Sequence, residues 1–182
     1  MRLFLALFLC CGAAFCQQAM TDQQILAVFN GISQHAASLT PMLDQVRPND
    51  WIAKGAPDTY ATQLASTIEG VALIQSDMQT LAQHPDRMSD DLKALFRVQA
   101  VHQLLDSLMG GLRKYQNPAL ADLIESVVAE DRADLDRLQQ YVLQLAGDKE
   151  AQLTLMDREA QRCRATLSRE PATPSSPNRR IQ

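Results

Sequence analysis

Two side chains in this sequence stand where chemistry could be done, His102 and Asp131, because each occupies a place in a row of Leu, Val and Ile that recurs every three or four residues. A polar residue in such a row points into a core rather than into water. His35 flanks a third row of the same kind, and Gly70 leaves a gap beside a fourth. Two imidazoles backed by a carboxylate form a set that can hold haem or a first-row metal, with His35 and His102 as ligands and Asp131 orienting one of them from behind. The same residues can instead make a buried hydrogen bond between His102 and Asp131 that fixes helix register, as single polar residues do in coiled coils. We expect the second arrangement, with no cofactor; haem is the cofactor of the first.

Other chemistries leave no trace. The sequence holds no Glu-x-x-His pair, no Cys-x-x-Cys-His, no Gly-rich phosphate loop, no nucleophile elbow and no zincin motif. With three His in the chain, general-base and metal chemistry have few residues to draw on. The expectation is therefore that the protein is not an enzyme. Met42, Met78, Met88, Met109 and Met156 fall mostly at stripe spacing and read as gap-filling core. The acids Glu125, Glu130, Asp131, Asp134 and Asp136 lie mixed with Arg132 and Arg137 and read mainly as a solvated helix face.

The elements that must position these residues are helices. Ile25, Phe29, Ile32, Ala36, Leu39, Leu43 and Val46 alternate spacings of four and three, predicting a helix over about 22–47. Pro41 inside it predicts a kink or break near Ala37 to Thr40. Tyr60, Leu64, Thr67, Val71, Ile74, Met78 and Leu81 predict a second helix over about 57–83, opening at Pro57. Leu92, Leu95, Val98, His102, Leu105, Met109 and Leu112, with Phe96, Val101 and Leu108 widening the stripe, carry a third over about 89–115, with Ser89 as its cap and Asp90 and Asp91 favoured by the helix dipole. A fourth opens at Asn117-Pro118 and keeps its stripe from Leu120 through Asp131 to Leu145, then through Leu153, Met156, Ala160, Cys163 and Leu167, over about 118–168. Gly147 is the one place where it could bend. No strand-like alternation is present, so the fold class is all-α, an up-down-up-down four-helix bundle with an overlong C-terminal helix. Residues equidistant from the Asn117 turn lie level, which sets His102 beside Asp131 and brings His35 and Gly70 to the same height.

The joint between the first two helices, Trp51-Ile52-Ala53-Lys54-Gly55-Ala56-Pro57-Asp58-Thr59-Tyr60, contains the only Trp. Trp51 and Ile52 are expected to cap the open end of the core, Tyr60 to enter its first layer, and Gly55 to permit the reversal before Pro57.

At the N-terminus, Met1-Arg2, the apolar run Leu3 to Leu9 and the small residues before Gln17 predict a signal peptide over 1–16, so the protein is expected to be exported, periplasmic or extracellular. The apolar run is too short to cross a bilayer, and no transmembrane segment is expected. Cleavage after Cys16 leaves Cys163 as the one cysteine, either buried or paired with another chain as an intermolecular thiol. Losing Arg2 makes the charge one unit more negative than the −4 of the whole chain, with basic residues scattered among acids, which excludes nucleic acid as a partner. Residues 169–182 carry three Pro and almost nothing apolar and are expected to be a disordered tail.

The loop pattern W-x3-G-A-P-x2-Y, with Arg113-Lys114-Tyr115 before the Asn-Pro turn and Glu159-Ala160-Gln161-Arg162-Cys163-Arg164 near the end, resembles a group of uncharacterised secreted helical-bundle proteins from bacteria. The resemblance covers most of the chain after the signal peptide. It implies export and an all-helical fold and carries no known activity. The function expected is that of a non-enzymatic interaction or structural module of the cell envelope, with a protein or peptide partner and homodimerisation through the C-terminal half-helix. The alternatives are the haem or metal bundle of His35, His102 and Asp131, and an envelope-stress chaperone, for which Leu39-Thr40-Pro41 followed by Gln45 is a distant motif.

Overall fold

A computed structural model describes residues 20–168; the expected signal peptide and the expected tail lie outside the described residues. Among the described residues the protein is all-helical: α1 spans Asp22–Leu43, α2 Pro48–Ile52, α3 Thr59–Gln83, α4 Met88–Tyr115 and α5 Pro118–Leu167. No helix of the described residues is long and apolar enough to cross a membrane.

Two free backbone N–H groups open α1, and a capping box satisfies both ends of the exchange. The Thr21 hydroxyl accepts from Gln24 N at 3.3 Å, and Gln24 Oε1 accepts from Thr21 N at 2.9 Å. The break expected near Ala37 to Thr40 does not occur: α1 runs unbroken through Pro41 and ends at Leu43, short of the expected residue 47. Pro41 falls in the last turn, so the donor it lacks removes a bond where the ladder is already ending. Its carbonyl is taken by Gln45 Nε2 at 3.0 Å.

The joint after α1 holds a helix of its own. Pro48 sits in the first turn of α2 and is pre-set for it. Gly55, at φ 90°, then turns the chain through a conformation that side-chain-bearing residues avoid, with its N–H on Ile52 O at 2.9 Å. Pro57 does not open the next helix as expected. Tyr60 N and Ala61 N bond to Pro57 O and Asp58 O, a tighter turn, and α3 begins only at Thr59.

Ser89 is not the cap of α4; Arg87 stands at that position, without a side-chain bond, and Asp90 and Asp91 lie in the first turn. Asn117 does cap α5, its Oδ1 accepting from Ala119 N at 3.0 Å, and α5 continues without interruption through Gly147.

The four long helices pack in a ring: α1 lies along α3 and α5, and α4 lies along the same two. The four apolar stripes meet inside it, with Phe29, Ile32, Met78, Leu81, Leu105 and Leu138 among the residues fully removed from water. Thr67, the polar member of the α3 stripe, is buried with its hydroxyl donating to Gln63 O at 2.7 Å. Contacts from Met20 to Gln144, His35 to Asp131 and Arg47 to Gln116 run in opposite chain order along the α1 and α5 sides of the ring. The ring ends where Tyr141 meets Pro85 and Lys149 meets Asp86 at 3.8 Å. Beyond that level α5 continues alone: from Glu150 to Leu167 every residue except Ala160 is exposed. At 1.5 Å per residue this rod projects about 27 Å.

Candidate functional site

Midway along the ring, Asp131 of α5 is buried and both of its oxygens are engaged. His102 Nε2 of α4 donates to Oδ2 at 2.7 Å, and His35 Nδ1 of α1 donates to Oδ1 at 3.1 Å. A carboxylate only accepts, so each contacting nitrogen carries a proton. Three helices are thereby tied to one side chain. The far nitrogen of His35, Nε2, faces the exposed Glu130 at 3.8 Å, and Asp134 stands 4.0 Å from Nδ1. Asp134 also binds Arg137 at 3.0 Å and lies so close to α1 that a Cβ at Gly31 would overlap its carboxylate. The reading of this acidic stretch as a solvated face therefore fails for Asp131 and Asp134, which turn inward.

The structure brings His35, His102 and Asp131 together as expected, but His35 bonds Asp131 directly, where only His102 was expected to. Among the described residues no group of three His, Cys, Asp or Glu converges on a point where a metal ion could sit. Gly70 opens no space for a ligand either, because Val101 fills it: a Cβ there would come within 2.5 Å of Val101 Cγ2. A groove of about 630 Å³ between α1 and α5 is walled by Met20, Gln24, Val28, Asp134, Arg137 and Gln140, and it reaches none of the three.

The cap residues cluster at one end. Trp51 is fully buried, edge-on to Tyr60 with ring centroids 5.4 Å apart and stacked on Tyr115 at 6.4 Å. Its indole N–H donates to Gln116 Oε1 at 3.0 Å, and Gln116 in turn donates to Gln45 O at 2.8 Å and accepts from Arg47 N at 2.9 Å. The indole approaches α4 closely enough to require Gly111, where a Cβ would come within 2.6 Å of Trp51 Cζ3. Ile52 and Tyr60 are half-buried, Gly55 and Pro57 exposed, and Ala56, which the sequence did not single out, is buried. Gln116 and Gly111 also escaped notice, since contacts between residues as distant in the chain as Trp51 and Gln116 leave no local pattern.

At the opposite end lies a group that sequence reasoning misread. Asp91 is fully buried, and among the described residues its two oxygens are the buried side-chain atoms without a hydrogen-bond partner. Burial pushes its carboxyl up to about 7, with the nearby charges of Asp90 and Asp86 adding to the rise. Tyr141 donates to Pro85 O in the same region, and burial, then Asp91, Asp22 and Asp86, push its phenol up to about 12. Asp91 lies four residues before Leu95, on the α4 stripe. That placement is the signal that marked His102 and Asp131.

Cys163 is exposed, which overturns the buried alternative for this thiol. Around it on the rod, Leu153, Met156 and Leu167 are 66, 64 and 71 % exposed. In comparison with known proteins, no family model, no curated protein and no solved structure matches the chain.

Proposed function

We propose that this is an exported, non-enzymatic helical protein of the cell envelope, periplasmic or extracellular, that acts by binding protein. Its body is an up-down-up-down four-helix bundle, a topology supported by the ring packing and by the opposed order of contacts along α1 and α5. Its working part is the projecting half of α5. The observation that carries the reading is that Leu153, Met156 and Leu167 continue the apolar stripe of the core and face water. Isolated apolar residues on a surface are ordinary, whereas a continuous stripe is a binding face. Export rests on the apolar N-terminal run and on the likeness of the Trp51 to Tyr60 loop to secreted bacterial helical proteins.

In this reading His35, Asp131 and His102 hold three helices in register and bind no cofactor. A Soret band on adding haem that disappears in His102→Ala would contradict that role. Photo-crosslinkers placed at Gln152 and Arg164, which flank the stripe and are exposed, test the rod in the protein's own envelope. Protein adducts should form there and not from Leu123 on the bundle body. Adducts from Leu123 with none from the rod would place the binding face elsewhere.

A further inference from the structure

Resting on that reading of the rod, we infer that its occupant is a second copy of this chain, paired antiparallel, with Met156 of each opposite Ala160 of the other and Leu153 opposite Cys163. Direction follows from the face that is bare. At 3.6 residues per turn, Met156, Cys163 and Leu167 fall within about 20° of the direction of Leu138, and Leu153 and Ala160 lie on the side of Val142. Leu138 and Val142 are buried against the bundle's own helices. The bare face of the rod therefore lies directly in line with the space that α1 and α4 fill. A partner helix laid on it parallel and in register would carry its own residues 118–146 into those helices. Laid antiparallel, its bundle stands clear at the far end.

Side-chain size agrees. In the antiparallel register each of the four central layers sets a long residue against a short one, Met156 on Ala160 and Leu153 on Cys163, which fills space evenly. Parallel pairing in register would stack Ala160 on Ala160 and leave a hole beside Met156. Length agrees as well, because the register brings Leu167 opposite Lys149, where the ring ends. The bare stripe of each copy is thus covered along its whole length, and the contact is self-complementary, so it closes as a dimer and does not propagate. Flanking charges alone favour the parallel direction by a small margin, because antiparallel pairing sets Glu150 beside Arg164 at both ends but Asp157 and Glu159 beside their own copies, while parallel pairing would set only Glu159 beside Arg164. Exposed pairs of this kind contribute far less than a clash of helices costs. Space and size decide.

A consequence separates the two directions. In the antiparallel register the two Cys163 residues are about 15 Å apart along the axis, too far for a disulfide, which needs Cα atoms within about 7 Å. Leu153 and Cys163 of one chain are equally far apart on a straight helix, so no internal bridge competes. The test uses the full chain at about 100 μM, with sedimentation for mass and an oxidised, non-reducing gel for linkage. The wild type should have a dimer's mass yet form no disulfide-linked dimer. Leu153→Cys should link efficiently, and Leu153→Cys combined with Cys163→Ser should not link. Met156→Glu, at an exposed position, should keep the helical signal and weaken association at least about tenfold. Disulfide linkage of the wild type through Cys163, or of the double variant through position 153, would overturn the antiparallel pairing while leaving the rod as a docking face. A monomer's mass that no variant changes would overturn self-association altogether.

Discussion

At one end of the ring Trp51 is completely buried, its N–H is bonded to Gln116, and two tyrosines and Gly111 enclose its ring. At the other end Asp91 is buried just as completely, its two oxygens meet no donor, and α5 leaves its neighbours with an apolar stripe still bare. The first end is closed by its own chain. The second is held together less completely, and the difference teaches that burial alone does not mark a finished interface. What distinguishes the two ends is whether each buried polar atom has a partner and each apolar face a cover.

That contrast gives the largest expected effect at the closed end. Trp51→Ala should cost about 4 kcal/mol, since it removes a fully buried ring and one of the two donors to Gln116 Oε1. Chemical denaturation of the variant and the wild type measures it, and a loss under about 1 kcal/mol would show that the cap is not closed as described.

The open end should respond to pH instead. Burial raises the Asp91 carboxyl from 3.8 to about 7, so the folded chain holds this proton more tightly than the unfolded chain does. The stability it contributes is full below pH 3.8, declines as pH rises, and is gone above about pH 7. Over that window the wild type should lose about 4 kcal/mol relative to Asp91→Asn, which stays neutral throughout. Parallel pH profiles for the two proteins would show that the carboxyl has found a partner.

Between the ends, Asp131→Ala leaves two half-buried imidazole N–H groups unbonded and should cost about 2 kcal/mol. Asp131→Asn keeps one acceptor and should cost less, and equal costs would show that one of the two histidines contributes nothing. The smallest effect belongs to the rod. Leu153→Ala removes no core contact, so monomer stability should stay within about 0.5 kcal/mol.

The helices were legible because the apolar spacing of four and three is dictated by helix geometry and survives any tertiary arrangement. The same logic located His102 and Asp131, since polar residues on a stripe must be buried and must find each other. It should have located Asp91 on the same stripe, but its place in the first turn of α4 offered a competing reading as a dipole-favoured acid. The bond from His35 to Asp131 was not legible, because His35 flanks its row and only the rotation of α1 against α5 brings it within reach. Pro41 and Pro57 misled for a shared reason: a proline shows that a helix is nearly at an end or nearly at a beginning, and the hydrogen bonds around it decide which residue that is. Periodicity also marked the rod as a face that needs cover without saying whether this chain supplies it.

The account's central claim is that the bare end of α5 is an interface, and the most direct measurement is the mass of the full chain in solution as its concentration rises. The account predicts a shift from monomer to dimer below about 100 μM, lost in Met156→Glu with no change in helical content. A monomer's mass for both proteins across the whole range would contradict it.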